Sequence, residues 1–203
     1  MNLDENLRKV REIVSLASAL LNLSEEDFQI LHERSNILQK WSDRIVETFY
    51  ETHLRNPDAR RLVENLPREE FEKTLREWYL SLLRGKPDDR FWLMQWIVAL
   101  EYLAKGVQNA QMASLLQMGI VQLEFGRLCF EKFDRQTAWR IFEAFKRITT
   151  AINALVVEGY RTFYIRALEN MTGIKPQLLE RMVLLESRRM WEEYRNKYLK
   201  REE

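Results

Sequence analysis

The sequence predicts an all-α protein, and three observations carry that expectation. Apolar residues recur at helical spacing along most of the chain, and no stretch alternates with period two for long enough to argue for a sheet. Breakers are few, with 6 Gly and 4 Pro in 203 residues. At 46% hydrophobic residues the chain can bury one substantial core, and a second full domain is not expected.

Residues 2–21 read as an amphipathic N-terminal helix, with Leu7, Val10, Val14 and Ala17 or Leu21 on one face. "NLSEEDF" then signals a helix start, with Ser24 as cap and Asp27 and its acidic neighbours at the positive end. After a break near "ERSN", a longer helix is expected through Trp41, Ile45, Phe49 and Leu54, interrupted at Asn56–Pro57. A short helix around Ala59–Val63 precedes "NLPREEF", where Pro67 suits a first turn enriched in acids. Phe71, Leu75, Trp78, Leu82 and Leu83 line the next helix, which stops at Gly85–Pro87.

"FWLMQWIVALEYLAKGV" (91–107) follows, with Asp88 and Asp89 in its N-terminal turn, and Gly106 is not required to end it. Apolar residues cover well over half its circumference, which predicts a helix surrounded by other helices. Residues 109–131 and 135–170 give two more helices, separated at "EKFDRQT". "MTGIKP" is a stop, and 177–200 form a polar-rich final helix. The expected organisation is a helical domain over 1–172 and a C-terminal helical extension over 173–203. Seven or eight main helices of unequal length favour a globin-like packing over a plain four-helix bundle.

Composition narrows the function classes. Lys+Arg 32 against Asp+Glu 31 gives a net charge of +1, and the basic clusters "DARR" and "ESRRM" each sit beside acids, so nucleic acid is not an expected partner. The single cysteine, Cys129, excludes an internal disulfide and a thiolate metal cluster, and reads as a small buried hydrophobe. The apolar runs are broken before they reach membrane-spanning length and no signal peptide is evident, so a cytoplasmic protein that does not enter the membrane is expected.

No catalytic constellation is visible, and an enzyme is not the favoured class. His32 and His53 have no histidine within one helix turn, although a single imidazole suffices as an axial haem ligand. Glu101 would need a raised pKa to act as an acid or base. No metal-ligand set stands out. The aromatic inventory is large, at 6 Trp, 7 Tyr and 10 Phe. Phe49, Tyr50, Trp78, Tyr79, Phe91, Trp92, Trp96 and Phe125 either line a cavity of cofactor size or fill it, and Val98 shares a helical stripe with Phe91, Gln95 and Tyr102. Tyr102 itself either offers its phenol to a pocket or closes the core with its hydroxyl at the edge.

The order of "LSEEDFQILHE" (23–33), "IVETFYETHLRNPDARRLV" (45–63), "EEFEKTLREWYLSLLRG" (69–85) and "EYLAKGV" (101–107) resembles the protoglobin and globin-coupled-sensor family over roughly residues 20–165. The resemblance implies a globin fold with an extra N-terminal helix, matched by 2–21, and a haem pocket. It also implies a proximal histidine four residues before the glycine of a Gly-Val pair, and that position here is Tyr102. Tyr50 matches a distal tyrosine, within one residue of register. The departure at Tyr102 argues against haem and for a stand-alone, haem-free sensor or interaction protein that takes at most a small apolar ligand. The alternative is a haem-binding gas or redox sensor with Tyr102, His32 or His53 as atypical ligand.

By the same resemblance the helices in 109–170 are the homodimer candidates. The final helix, with Leu178, Met182, Leu185, Met190, Trp191 and Tyr194 along its apolar edge, is a candidate surface for a protein partner.

Overall fold

The computed structural model describes residues 3–55, 57–60, 67–106 and 110–199, and all regular structure among them is helical. The helices are α1 (Leu3–Leu21), α2 (Glu25–Glu33), α3 (Ser35–Leu38), α4 (Ser42–Arg55), α5 (Pro57–Arg60), α6 (Arg68–Ser81), α7 (Asp89–Ala104), α8 (Ala110–Lys132), α9 (Arg135–Thr172) and α10 (Pro176–Tyr194). No helix among the described residues is long and apolar enough to cross a membrane. The chain divides into two compact units, Met1–Tyr160 and Arg161–Glu203. The division falls within α9, ahead of the helix break at Gly173.

Local chemistry sets most helix ends where the sequence places them. The Ser24 N–H donates to Asp27 Oδ2 at 2.9 Å, so the acid three residues into α2 closes back on its own cap. Asp88 accepts the Phe91 N–H at 2.7 Å to start α7, and Asp134 Oδ1 accepts from both Gln136 and Thr137 at 3.0 Å to start α9. Gly173, at φ 73°, takes the left-handed conformation that ends α9.

Several boundaries differ from expectation. Trp41 lies in a 3₁₀ turn (Gln39–Trp41) and α4 begins only at Ser42. Pro67 stands just before α6, leaving Glu69 and Glu70 in its first turn. That helix ends at Ser81, short of the Gly85–Pro87 stop, and Leu82 and Leu83 follow it as buried residues. Gly106 does help end α7: its φ is +65° and its N–H reaches the Leu103 carbonyl at 3.1 Å, the left-handed capping geometry that glycine adopts without a Cβ penalty. The short helix expected to Val63 is seen as Pro57–Arg60, and the remainder lies outside the described residues, as do 107–109.

The first unit is built around α7, α8 and the first part of α9. Trp92, Gln95, Trp96 and Ala99, spaced for one helical face, point α7 into the core. A Cβ added to Gly159 of α9 would stand 2.9 Å from the Trp96 carbonyl oxygen and 3.1 Å from Ala99 Cβ, so glycine lets these two helices approach. Helix α1 packs on α7 through Val10 and Ala17, and Arg11 joins Asp89 at 2.5 Å. The surround of α7 is incomplete, because Met94 and Leu100 remain 52% and 40% exposed.

Between α8 and α9, Phe125 stacks on Phe145 with centroids 3.8 Å apart, and Tyr79 meets Phe125 edgewise and Phe145 at a tilt while donating to the Leu38 carbonyl at 2.8 Å. Cys129 lies fully buried, and burial pushes its thiol up to about 12. In the second unit Arg161 pairs with Glu180 at 3.3 Å and Lys175 with Glu169 at 3.1 Å.

Candidate functional site

A cavity of about 160 Å³ lies among α4, α6, α7, α8 and α9. Its wall follows from helical periodicity. Helix α6 supplies Phe71, Leu75 and Trp78, α7 supplies Gln95, Val98 and Tyr102, and α8 supplies Ser114, Gln117, Met118 and Val121. Phe49 of α4 and Ile152 and Val156 of α9 complete it. Phe49, Gln95, Ser114, Val121, Ile152 and Val156 are buried, whereas Pro67, Glu70, Thr74, Glu101 and Lys105 are exposed. The cavity therefore has an apolar floor against α4, α8 and α9 and a charged rim between α6 and α7.

Few polar atoms reach this space, and most are already engaged. Trp78 Nε1 donates to Gln95 Oε1 at 3.1 Å, and Gln95 Nε2 donates to the Phe91 carbonyl at 3.3 Å. Ser114 Oγ donates to Asn153 Oδ1 at 2.8 Å, and Thr74 Oγ1 to the Glu70 carbonyl at 2.9 Å. At the rim Lys105 Nζ meets Glu101 Oε1 at 2.6 Å, and the charge of Glu70 also acts on that ammonium. Burial, then the neighbouring Glu101 charge, raises the Tyr102 phenol above its ordinary value.

Four of the aromatic and apolar residues singled out from sequence, Phe49, Trp78, Val98 and Tyr102, meet at this cavity. Tyr50, Tyr79, Phe91, Trp92, Trp96 and Phe125 are not in its lining. Tyr50 points toward the start of α6, where its hydroxyl donates to the Arg68 carbonyl at 3.4 Å and the Arg68 guanidinium lies over its ring. Phe91 packs edgewise on Phe28 of α2, with centroids 5.9 Å apart.

Neither histidine lines the cavity. His53 is buried, hydrogen-bonded through Nδ1 to the Phe49 carbonyl at 2.7 Å, with its ring 4.3 Å from that of Phe49. His32 is exposed on α2 and bonds the Leu83 carbonyl at 2.9 Å. Glu101 is exposed and tied to Lys105. Among the described residues no three metal-ligating side chains cluster.

Among the lining residues that sequence reading missed are Phe71, Leu75, Gln95, Ser114, Gln117, Met118, Val121, Ile152 and Val156. Gln95 had a signal, since it shares the Val98–Tyr102 stripe. The pairs 71/75, 114/118 and 152/156 show i, i+4 spacing, but that spacing alone does not separate a cavity wall from core.

A family model described as Protoglobin matches residues 12–164. Among solved structures, the globin domain of a Geobacter sulfurreducens globin-coupled sensor is similar with a TM-score of 0.64, covering 72% of this chain and 97% of that one at 19% identity. At that identity the likeness shows the fold: an all-α, globin-like arrangement with additional helices at both ends. No curated protein matches.

Proposed function

The chain belongs to the protoglobin family, and from that premise we propose that it is a haem-free, non-enzymatic sensor or interaction protein of the cytoplasm whose globin cavity takes a small apolar ligand. The observation that carries this reading is the cavity itself, about 160 Å³ in volume, with Tyr102 in its wall where the family resemblance calls for an iron-binding histidine.

Haem does not fit the residues present. Cavities for drug-sized ligands run to roughly 300–1,000 Å³, whereas a cavity of roughly 150 Å³ lined by hydrocarbon takes benzene or xenon. Axial ligation by tyrosine calls for the phenolate, and the buried Tyr102 phenol is shifted away from ionisation. The rim sets two carboxylates, Glu70 and Glu101, against one ammonium, Lys105, which opposes the two carboxylates that a haem carries on its propionates. Neither His32 nor His53 stands in the wall to replace Tyr102.

Titration of the purified protein with haemin, followed by absorbance, tests the reading. The expected result is no Soret band that saturates at one haem per chain. A saturating band that shifts in Tyr102→Phe overturns it and supports an atypical haem sensor.

The same proposal makes the protein a homodimer through α8 and α9. Leu115, Leu116 and Leu123 of α8 and Trp139 of α9 stand 55–75% exposed, the kind of apolar surface that marks an interaction site. Light scattering is expected to give twice the chain mass, and a monomer at high micromolar concentration sinks the dimer. Helix α10 is proposed as the surface for a protein partner, on the exposure of its apolar edge.

A further inference from the structure

We infer that the ligand of this cavity is a neutral, benzene-sized molecule with an apolar body and one hydrogen-bond acceptor, held by the hydroxyl of Tyr102 and the side-chain amide of Gln95. The inference rests on the reading of the cavity as a ligand site and adds the chemical class.

The hydrogen-bond inventory of the wall carries it. An indole N–H can only donate and a backbone carbonyl can only accept. Trp78 Nε1 therefore fixes Gln95 Oε1 on its own side, and the Phe91 carbonyl fixes Nε2 on the other, so the amide orientation follows from its partners. Its acceptor then has a donor, and one of its two N–H donors is used. The second N–H remains, on a side chain that is 94% buried by virtue of only 6% exposure.

Tyr102 lies two helical turns further along the same stripe, and its hydroxyl has no hydrogen-bond partner among the described residues. The raised phenol keeps its proton through the neutral range and so remains a donor. By contrast, the hydroxyl protons of Ser114 and Thr74 are already donated within the protein. Gln117 of α8 also stands in the wall with an amide that can donate as well as accept, so it discriminates against neither class; the donors left over on the α7 stripe call for an acceptor, such as a ketone or ether oxygen.

Size and charge narrow the class further. The volume of about 160 Å³ matches a single ring. The rim places Glu70 and Glu101 around Lys105, whose ammonium is already taken by Glu101 at 2.6 Å, so a carboxylate entering between α6 and α7 meets net negative charge.

The test uses the full chain and three probes of similar bulk: cyclohexanone, methylcyclohexane and cyclohexanecarboxylate, with affinities from ligand-observed NMR titration. Val98→Phe, which fills the cavity, is expected to abolish binding of both neutral probes. Tyr102→Phe removes only an oxygen that has no partner among the described residues, so the fold is retained. It is expected to weaken cyclohexanone about five- to tenfold and to leave methylcyclohexane unchanged or tighter, since a hydrogen bond contributes on the order of 1 kcal/mol.

Equal effects of Tyr102→Phe on the two neutral probes overturn the acceptor assignment while the ligand cavity stands. Tighter binding of cyclohexanecarboxylate than of cyclohexanone overturns the neutral class. If neither neutral probe binds, or Val98→Phe leaves their binding intact, the cavity reading itself fails and this inference with it.

Discussion

Helices α7 and α10 are both rich in large apolar residues, yet one is core and the other is surface. In α7, Trp96 and Ala99 are fully buried and Trp92 is 8% exposed. In α10, Leu178, Met182, Leu185 and Trp191 are each 51–57% exposed, and no residue is buried. Composition separates them in part, with 3 charged residues among the 16 of α7 and 7 among the 19 of α10. The rest of the difference lies in what meets each face: α7 has Gly159 of α9 letting a backbone come within reach of Trp96, and α1 on a second side. Burial belongs to the partner surface as much as to the helix, and a sequence read one helix at a time lacks that information.

The largest effect that would sharpen this contrast is a matched pair of tryptophan truncations. Trp96→Ala removes a fully buried indole and is expected to cost about 3–5 kcal/mol in urea denaturation. Trp191→Ala removes an indole that is 57% exposed and is expected to stay within about 0.5 kcal/mol. Equal losses would break the contrast and mean that α10 is covered in solution, as the proposed partner surface or a second copy would do.

The same pair shows what was legible beforehand. Helix starts at Ser24 and Asp88 and the stop at Gly173 were readable because a cap is a contact within three or four residues of chain. Trp41 keeps the apolar spacing of α4 although it lies in the 3₁₀ turn before it, so that boundary is invisible to periodicity.

At the cavity, the family resemblance and helical periodicity together marked Phe49, Trp78, Val98 and Tyr102. Tyr50 went elsewhere because neighbours on a helix diverge by about 100°. Phe91 shares the right stripe but lies a turn below Gln95, opposite Phe28 of α2. Met118, Val121, Ile152 and Val156 needed the packing of α8 and α9 against α6 and α7, which no local pattern encodes.

A smaller effect carries the contrast into electrostatics. Glu124 of α8 and Glu186 of α10 both have pKa values held below the ordinary carboxylate value. For Glu124, desolvation pushes upward and is outweighed by hydrogen bonds from Arg127 at 2.5 Å and Arg44 at 3.2 Å, with its side chain only 7% exposed. For Glu186 the Arg189 hydrogen bond dominates, on a side chain 55% exposed.

A carboxylate depressed in the folded state adds stability above its unfolded pKa and loses it as pH falls through the folded one. Stability is therefore expected to drop below about pH 4.5, the ordinary value from which both carboxylates are lowered. Glu124→Gln should lower stability at pH 7 and flatten that acid limb in denaturation curves taken from pH 7 to pH 3. Glu186→Gln should leave the limb unchanged, because water and salt screen an exposed pair. An acid limb that follows Glu186 and ignores Glu124 would reverse the assignment of core and surface that α7 and α10 illustrate.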